Sequence, residues 1–307
     1  GNVNERANVV AIVVTFKRKE FLCKILDSLI RQTFPINKII VIDNNSLDGT
    51  KELVEDFCRI NTEVNRKIKY YDTGENLGGA GGFKCGFEIA RNFDYSHLWL
   101  MDDDLLPEDN CLEILLKCNI EGIVQPIRMN MDGTCAELSP INYDLKNPFR
   151  LRAKTKTVAD IYIKDKTPYL FDIHSVPFEG PLITKSVVEK IGFPNEKFFI
   201  FNDDLDYSLR ARQKKFRICC SSQARATRLL RNNIKNDLSS WKGYYMLRNY
   251  FYIMRKYGDN FMVRLKPHWA IWIFVFYFFL TGKKNINRIF SAYLDSKELT
   301  NSKKFRP

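Results

Sequence analysis

The sequence predicts an α/β fold, with a Rossmann-like, mostly parallel sheet followed by a helical region rich in basic and aromatic residues. Two observations support this prediction. Apolar runs typical of buried strands alternate with segments of helical periodicity through residues 9–102, which is the pattern of a doubly wound sheet with right-handed crossovers. Polar clusters follow the predicted strands, at residues 15–18, 43–46, 76–82 and 102–104. In such sheets ligands bind beyond the carboxyl ends of the strands.

Each element follows from its local pattern. The β-branched run at residues 9–15 predicts a strand buried on both faces. Residues 19–32 place apolar side chains at helical spacing, and Pro35 closes that unit. The same patterns predict further strands at residues 38–42, 67–71, 97–101, 123–128 and 216–221. They predict further helices at residues 49–60, near 82–92, at 184–191, from the acidic residues at 203–206 to about residue 214, and from residue 239 on. We expect residues 132–170 to form loops and short strands that cover the site.

Charge divides the chain into two parts. The chain carries 48 Lys and Arg against 36 Asp and Glu, a formal net charge of +12. Residues 207–307 hold 22 basic and 4 acidic residues, whereas residues 1–206 hold 26 and 32. This asymmetry indicates an acidic body with a basic tail, and we assign residues 1–235 to the sheet domain and residues 236–307 to the helical region. The eight cysteines lack zinc-ligand spacing, so we expect core thiols in a reducing compartment.

Three aspartates, Asp102, Asp103 and Asp104, directly follow the apolar strand at residues 97–101. Adjacent carboxylates repel one another unless a cation lies between them. In an extended segment the first and third side chains point the same way. Asp102 and Asp104 can then share Mn²⁺ or Mg²⁺, hard ions that prefer oxygen ligands and bridge phosphate oxygens. The alternative is a solvated acidic turn before Pro107.

Residues 78–82 contain four glycines. Glycine lets a backbone approach a ligand closely and present N–H groups to an anion, although an ordinary strand–helix turn explains the same run. A dinucleotide-binding fingerprint requires its glycines after the first strand. That strand ends instead in the residues Thr15, Phe16, Lys17 and Arg18, so the sequence argues against NAD.

A second acidic cluster, with Asp203, Asp204 and Asp206, opens a predicted helix. Helix capping explains one of these carboxylates. A desolvated carboxylate beside others has a raised pKa and can take a proton from a hydroxyl group as a general base. Glycosidases also use two carboxylates, but a D-x-D at a parallel strand end with a glycine-rich turn fits a nucleotide-diphosphate donor better.

Taken together, these motifs resemble the family 2 glycosyltransferases of the GT-A fold. The residues that carry this resemblance are 13–18, 41–46 with Asp48 and Thr50, and the D-x-D. Four motifs resemble the galactofuranosyltransferase branch more narrowly: residues 76–83, residues 101–104, residues 203–210, and Trp241 with Tyr245, Arg248 and Asn249. The resemblance spans roughly residues 9–250.

The resemblance implies an inverting hexosyltransferase that moves galactofuranose from UDP-galactofuranose to a cell-surface or lipid-linked glycan. Asp204 would deprotonate the acceptor hydroxyl, and Asp102 and Asp104 would hold Mn²⁺ or Mg²⁺ on the diphosphate. The residues implied to bind the nucleotide sugar are Thr15, Phe16, Arg18, Asp43, Asn44, Asn76, Gly78, Gly79, Asp102 and Asp103. Among these, Asp43 would meet the uracil or ribose.

One position departs from that branch. Its members carry a metal-binding histidine shortly before the helix tryptophan, where this chain has Leu229 beside Arg228. The histidines of the chain are His97, His174 and His268, and of these His174 is the one candidate to face the acceptor. The sequence therefore leaves the metal site one ligand short of the family pattern.

Residues 269–280 read WAIWIFVFYFFL and have Arg264, Lys266, Lys283 and Lys284 on either side. This block is too short to span a bilayer, and its tryptophans and flanking cations suit a membrane surface. We expect a cytoplasmic protein attached peripherally to the inner face of the plasma membrane, with a buried helix or a homo-oligomer contact as the alternative. Because the aromatic residues do not alternate with basic ones, nucleic acid is not an expected partner.

Two other functions stay open at this stage. Rhamnosyltransferases that use dTDP-rhamnose share much of the pattern. The second is a catalytically silent subunit that binds a glycan or a sugar nucleotide. The absent histidine favours a silent subunit, whereas the intact set of Asp102, Asp104 and Asp204 argues against it. No catalytic candidate lies beyond residue 264, so we expect the tail to be separable from catalysis.

Overall fold

The computed structural model describes residues 6–230, 238–301 and 304–307 of the chain. Its strands are β1 (Val9–Thr15), β2 (Lys38–Asp43), β3 (Ile68–Asp72), β4 (His97–Asp102), β5 (Leu105–Pro107), β6 (Gly122–Met129), β7 (Pro140–Tyr143), β8 (Lys154–Thr157), β9 (Leu170–Asp172), β10 (Leu182–Thr184) and β11 (Arg217–Arg228). Its helices are α1 (Lys19–Ile30), α2 (Thr50–Ile60), α3 (Thr62–Asn65), α4 (Gly78–Ala90), α5 (Cys111–Lys117), α6 (Val158–Ile161), α7 (Lys185–Ile191), α8 (Asp203–Gln213), α9 (Trp241–Tyr257), α10 (Phe261–Arg264), α11 (Lys266–Thr281) and α12 (Ile286–Asp295). The boundary that we place between residues 235 and 236 lies outside the described residues.

A single large, mostly parallel sheet organises the described part of the chain. Its strand order is β3-β2-β1-β4-β10-β6-β11-β5, and β9 pairs with β11. The first four strands of this order are mutually parallel, as are β6 and β11. The short β10 lies antiparallel between β4 and β6. The predicted α/β class with a mostly parallel sheet is confirmed, and the antiparallel strands enter only after the first acidic cluster.

The strand β1 lies at the centre of the core. Val9, Ala11 and Val13 pack on one face of the sheet with α1 and α5. The alternate residues of β1 pack on the other face with α4. Every residue of β1 is buried, which explains the continuous β-branched run, since both faces of a parallel strand are covered.

The predicted start of α4 was wrong by one helical turn, because the glycines belong to the helix. Cβ atoms added at Gly82 and Gly86 would lie 2.7 Å from Val14 Cγ1 and 2.4 Å from Ile12 Cγ2. Glycine at these positions therefore lets α4 lie directly on β1. Glycine disfavours helices by about 1 kcal/mol per residue, so the local pattern indicated a turn, and close packing decides the outcome.

The end of β11 also differs from its prediction. The strand continues to Arg228 rather than ending at Ser221, with a register shift between Ser221 and Arg225. This extension pairs Arg228 with Leu105 and brings it beside the first acidic cluster. Residues 132–170 form loops, the two-stranded β7–β8 sheet and the short α6, as predicted.

The C-terminal helices share a hydrophobic core with the body. Phe199, from the loop before α8, packs in one cluster with Tyr245, Ile271, Phe278 and Ile289 from α9, α11 and α12. Removing the chain beyond residue 264 would therefore uncover part of this core. Point substitutions therefore separate the roles of this region in packing and in binding better than a truncation does.

The predicted helix over the aromatic block is present as α11. It buries Ala270, Ile271 and Phe278 and exposes a second set of apolar side chains: Trp272, Ile273, Phe276, Tyr277, Phe279 and Leu280. Among the described residues, no helix has both the length and the apolar character needed to cross a bilayer.

Candidate active site

A cleft of about 750 Å³ opens at the carboxyl ends of β1 and β4. Most of the predicted site residues line it: Thr15, Phe16, Arg18, Asn44, Asn76, Gly78, Gly79, Asp102, Asp103 and Asp204. Both acidic clusters therefore meet in one cavity. The D-x-D lies at the end of β4, where a parallel sheet places its ligands, and Asp204 comes from the start of α8. Trp241 and Lys242, the first residues of α9, add a wall from the C-terminal region.

The D-x-D lies on a turn rather than on the extended segment that we expected. The strand β4 ends at Asp102, and the chain then turns into β5. Asp103 at this turn accepts hydrogen bonds from Thr15 Oγ1 at 3.0 Å, from the Phe16 N–H at 3.2 Å and from Arg18 Nη1 at 3.2 Å. Asp103 thus ties the D-x-D to the end of β1.

Asp102 and Asp104 meet a third carboxylate that the sequence analysis did not assign. One carboxylate oxygen from each of Asp102, Asp104 and Glu179 lies within 4.8 Å of the other two. Burial raises the pKa of Asp102, as do the neighbouring Asp103 and Asp104. Burial also raises the pKa of Asp104, followed by the charges of Glu179 and Asp103.

These carboxylates fit a divalent cation. Asp104 is 5% exposed, and its Oδ1 is buried without a hydrogen-bond partner among the described residues. A buried acceptor of this kind is costly unless something pairs with it. A set of carboxylate oxygens is the ligand type that Mg²⁺ and Mn²⁺ prefer.

The position of the absent histidine carries no ligand. Leu229 packs against the core, and its N–H donates to the Asp104 carbonyl oxygen at 2.8 Å. Beside it, Arg228 is 9% exposed, and its charge lowers the pKa of Asp104 against the effect of burial. His174 Nδ1 accepts the Tyr143 N–H at 2.7 Å, so this histidine is tied to β7.

Asp204 lies in the first turn of α8 and faces the cleft. Burial raises its pKa, the N–H of Leu205 opposes that rise, and Glu179 adds to it. The cations Lys154 and Arg128 lower the pKa of Asp204. The expectation of a desolvated carboxylate with a raised pKa agrees with this environment.

The third aspartate of that cluster has a different role. Asp206 is fully buried and accepts hydrogen bonds from Arg210 Nε at 3.1 Å and from the hydroxyl of Tyr257. It therefore joins α8 to α9.

Asp43, at the end of β2, is also held by hydrogen bonds. It accepts the Ser46 N–H at 3.0 Å and the Tyr70 hydroxyl at 2.5 Å, and it is 2% exposed.

Two N–H groups at the start of α4 donate hydrogen bonds to other groups of the protein. The N–H of Gly78 donates to Asn76 Oδ1 at 2.9 Å, and that of Ala80 donates to the Phe199 carbonyl oxygen at 3.0 Å. Asn44 Nδ2 donates to the Gly78 carbonyl oxygen at 3.0 Å. The glycine run therefore joins three segments of the cleft wall.

The loop before α8 has an unusual backbone. Phe199, Phe201 and Asn202 have φ values of +62°, +64° and +65°. At Phe199 the ψ value is −69°, and the Ile200 N–H donates to the Phe198 carbonyl oxygen at 2.7 Å, which defines the strained form of the γ-turn. Such conformations cost about 1–3 kcal/mol each and persist only where the surroundings hold them.

The helix α9 supplies the groups that hold this loop. Asn249 Nδ2 donates to the carbonyl oxygens of Phe198, Ile200 and Phe201, at 3.1, 2.6 and 2.9 Å. Arg248 Nη2 donates to the Phe198 carbonyl oxygen at 3.2 Å and to Asn249 Oδ1 at 2.9 Å. Both side chains are fully buried. The motif that resembles the galactofuranosyltransferase branch thus acts as a brace for the loop that leads into Asp204.

Comparison with known proteins agrees with this geometry. Residues 10–160 match the family described as Glycosyl transferase family 2, so this segment is a family 2 glycosyltransferase domain. Galactofuranosyltransferase GlfT1 of Mycolicibacterium smegmatis is 30% identical over 206 residues, 66% of this chain and 64% of that protein. GlfT1 of Mycobacterium tuberculosis is 31% identical over 211 residues, with the same coverage. The match thus spans just under two thirds of the length of these relatives.

Solved structures show the same fold. The mannosyltransferase PcManGT from Pyrobaculum calidifontis, in complex with GDP-Man and Mn²⁺, aligns with a TM-score of 0.59 at 14% identity over 94% of this chain and 74% of that one. S. aureus TarS in complex with UDP-GlcNAc aligns with a TM-score of 0.54 at 14% identity, over 94% of this chain and 81% of that one. The GT-A fold and the family 2 resemblance inferred from the sequence are confirmed.

The brace on the loop before α8 can be tested with Asn249→Ala. This change removes a donor from the carbonyl oxygens of Ile200 and Phe201 and one of the donors to that of Phe198, and we expect it to lower the free energy of unfolding by about 2 kcal/mol. It should also lower glycosyl transfer at least about tenfold, since small misplacements of reacting groups are costly. Urea unfolding and a transfer assay measure the two effects.

Asn61→Ala is the matched control, because Asn61 is exposed and donates to the Phe57 carbonyl oxygen at 3.0 Å. We expect a change within about 0.5 kcal/mol there. Wild-type stability and turnover of Asn249→Ala would contradict the assigned role.

Proposed function

We propose that the protein is a metal-dependent inverting glycosyltransferase that transfers galactofuranose from UDP-galactofuranose to a cell-surface or lipid-linked glycan. The observation that carries the proposal is the meeting of the D-x-D and Asp204 in one cleft. The identity with GlfT1 of two mycobacteria supports the sugar. The complexes of PcManGT with GDP-Man and of TarS with UDP-GlcNAc support a nucleotide-sugar donor.

The residues that line the cleft would have different roles in the reaction. Thr15, Phe16 and Arg18 would line the nucleotide end, and Asp102 and Asp104 would hold Mn²⁺ or Mg²⁺. When bound, such an ion offsets the charge that develops on the departing diphosphate. Arg18 lies 3.2 Å from Asp103 and 3.9 Å from Asp104, so it adds a fixed positive charge beside the same carboxylates.

Asp204 acts as the general base in this proposal. It takes the proton of the acceptor hydroxyl as the acceptor oxygen bonds to the anomeric carbon. The bond from that carbon to the diphosphate oxygen breaks on the opposite face, and UDP leaves with the electron pair. The raised pKa of Asp204 suits a proton acceptor, because catalysis improves as the pKa of the base approaches the working pH.

The donor and the base can be tested together. We expect the wild-type protein with Mn²⁺ to consume UDP-galactofuranose in preference to dTDP-rhamnose, since its relatives are galactofuranosyltransferases. Asp204→Asn should lower turnover about 10²–10⁴-fold, the usual contribution of a general base, while UDP-galactofuranose binding measured by calorimetry stays near wild type.

Asp94→Asn provides the control, because Asp94 is exposed and precedes β4, at the end of that strand opposite to Asp102. A preference for dTDP-rhamnose would select the rhamnosyltransferase alternative. Donor binding without turnover in the wild-type protein would select the silent subunit.

The acidic limb of the pH profile tests the environment of Asp204. Activity should fall as the pH drops through the raised pKa of Asp204, because the protonated base cannot accept a proton. Lys154→Met removes a cation that lowers this pKa, so the limb should move to higher pH. Lys164→Met, at an exposed site, should leave the profile of kcat/KM unchanged. An unshifted limb in Lys154→Met would contradict the assignment.

We also propose that α11 attaches the protein peripherally to an anionic membrane surface. Its exposed face carries Trp272 at 61%, Phe276 at 60% and Phe279 at 74% exposure. Residues 260–294 include five basic and no acidic residues. A helix with an apolar face and cationic surroundings binds at the headgroup level of anionic bilayers, which supports a place at the inner face of the plasma membrane.

The combined change of Trp272, Phe276 and Phe279 to Ser tests this surface. Binding to phosphatidylserine-containing vesicles in a sedimentation assay should weaken at least about tenfold, since burying one aromatic side chain contributes about 1.5–3 kcal/mol. High salt should weaken binding of the wild-type protein without abolishing it.

Ile60→Ser is the control, because Ile60 is 80% exposed on α2. Failure of the wild-type protein to bind these vesicles would contradict the proposal. Dissociation of an oligomer by the triple change would show that the face is a subunit contact instead.

A further inference from the structure

We propose that Glu179 is a third protein ligand of the divalent ion, and that the buried pair Arg128–Glu137 positions it. The proposal rests on the metal dependence proposed above and adds the ligand that the sequence left unassigned. It is carried by the position of Glu179, by the unpartnered oxygen of Asp104, and by the ion pairs behind Glu179.

The backbone around Glu179 is bonded to the strand that ends in the D-x-D. The N–H of Gly180 donates to the Leu100 carbonyl oxygen at 2.7 Å, and Trp99 Nε1 donates to the Gly180 carbonyl oxygen at 2.9 Å. Gly180 has a φ of +97°, and a Cβ there would lie 2.9 Å from Pro126 Cγ. These two hydrogen bonds therefore fix the turn against β4 and hold Glu179 near the end of that strand.

The three carboxylates leave a site that a cation would complete. Asp104 Oδ1 is buried and has no hydrogen-bond partner among the described residues, while Asp102, Asp104 and Glu179 offer oxygens within 4.8 Å of one another. Three such ligands leave positions in an octahedral shell for phosphate oxygens and water, as Mg²⁺ and Mn²⁺ require. Three carboxylates this close together, of which Asp104 is buried, would repel one another without a cation between them.

The ion pairs behind Glu179 orient it without removing its charge. Arg128 donates to Glu137 from Nε at 2.8 Å and from Nη2 at 3.1 Å, and from Nη1 to Glu179 Oε2. Glu137 is fully buried, and Ser139 donates its hydroxyl to it at 2.6 Å. Since Glu137 balances the charge of Arg128, the group formed by Arg128, Glu137 and Glu179 keeps one net negative charge. That charge and the second oxygen of Glu179 are left for the ion.

The Arg128–Glu137 pair therefore resembles the outer partners that orient ligands at metal sites. Such partners change metal affinity about 10–100-fold when removed. Gln125 adds to the same network, because its Nε2 donates to the Glu179 carbonyl oxygen at 2.9 Å. Arg128 and Glu137 are positioning residues in this proposal, and of these three residues only Glu179 would touch the ion.

Mn²⁺ binding to the full chain, measured by electron paramagnetic resonance in the presence of UDP, tests the proposal. We expect Glu179→Gln to weaken Mn²⁺ binding at least about tenfold. Glu179→Asp keeps the charge but shortens the side chain, and it should weaken binding to a similar degree. Glu55→Gln, at an exposed position on α2, should bind Mn²⁺ as the wild type does.

The positioning role is tested by a double-mutant cycle. Glu137→Gln should weaken Mn²⁺ binding when Glu179 is present and have no further effect in the Glu179→Gln background. Ser139→Ala, a milder change, should act in the same direction if Glu137→Gln does not fold. Equal effects of Glu137→Gln in both backgrounds would overturn the positioning role.

Two other results would overturn the ligand assignment. The first is Mn²⁺ binding by Glu179→Gln that equals the wild type, which would leave the proposed glycosyltransferase intact. The second is a wild-type protein that binds no Mn²⁺ with UDP. A transfer assay with and without a chelator then separates the cases, because transfer that persists with the chelator would remove only the metal site, whereas no transfer under either condition would remove the proposed function as well.

Discussion

The burial of several carboxylates around one cleft is the constraint on which the rest of the site depends. Like charges can be buried together only if cations offset them. The carboxylates concerned are Asp102, Asp103, Asp104, Glu179 and Asp204. Arg18 and Arg128 meet them from different elements, and Arg228 lies beside Asp104. The raised pKa values of Asp102 and Asp104 show that these arginines offset the burial only in part. In the proposed function, a divalent ion would supply the positive charge that is still missing, and the raised pKa of Asp204 would suit a general base.

The second acidic cluster depends on a distant part of the chain. The loop before α8 has a backbone that local sequence does not favour, and Asn249 and Arg248 of α9 hold it through their hydrogen bonds to its carbonyl oxygens. The same loop contributes Phe199 to the core that α11 and α12 share. The geometry of Asp204 is therefore coupled to the C-terminal helices. In the proposed function, the elements that face the membrane and the elements that hold the general base belong to one packed unit.

The sequence predicted the parts of this protein that follow from local pattern and sheet topology. The strands β1, β2 and β4 show uninterrupted apolar runs, and the rules for parallel sheets bring their polar ends together, so Thr15, Asn44 and Asp102 were predicted to share a cleft. The sequence did not reveal Glu179, because it follows no strand end and reaches Asp102 through β10, an antiparallel insertion three residues long. The start of α4 was missed because the glycines at residues 78–82 indicated a turn, whereas Gly82 packs closely against Val14 of β1, a contact that no local pattern shows.

The difference at residue 229 can be understood through charge. A histidine at that place would be a neutral metal ligand, whereas Leu229 packs into the core and offers none. In the proposed site Glu179 restores the number of ligands but adds a negative charge. Arg228, buried beside Asp104, compensates for it, and Arg128 orients the new ligand while Glu137 cancels the charge of Arg128. The proposed site thus keeps the ligand number that the family pattern implies, with a carboxylate and a compensating arginine in place of the histidine. Its all-oxygen ligand set also favours Mg²⁺ and Mn²⁺ over softer ions that prefer imidazole.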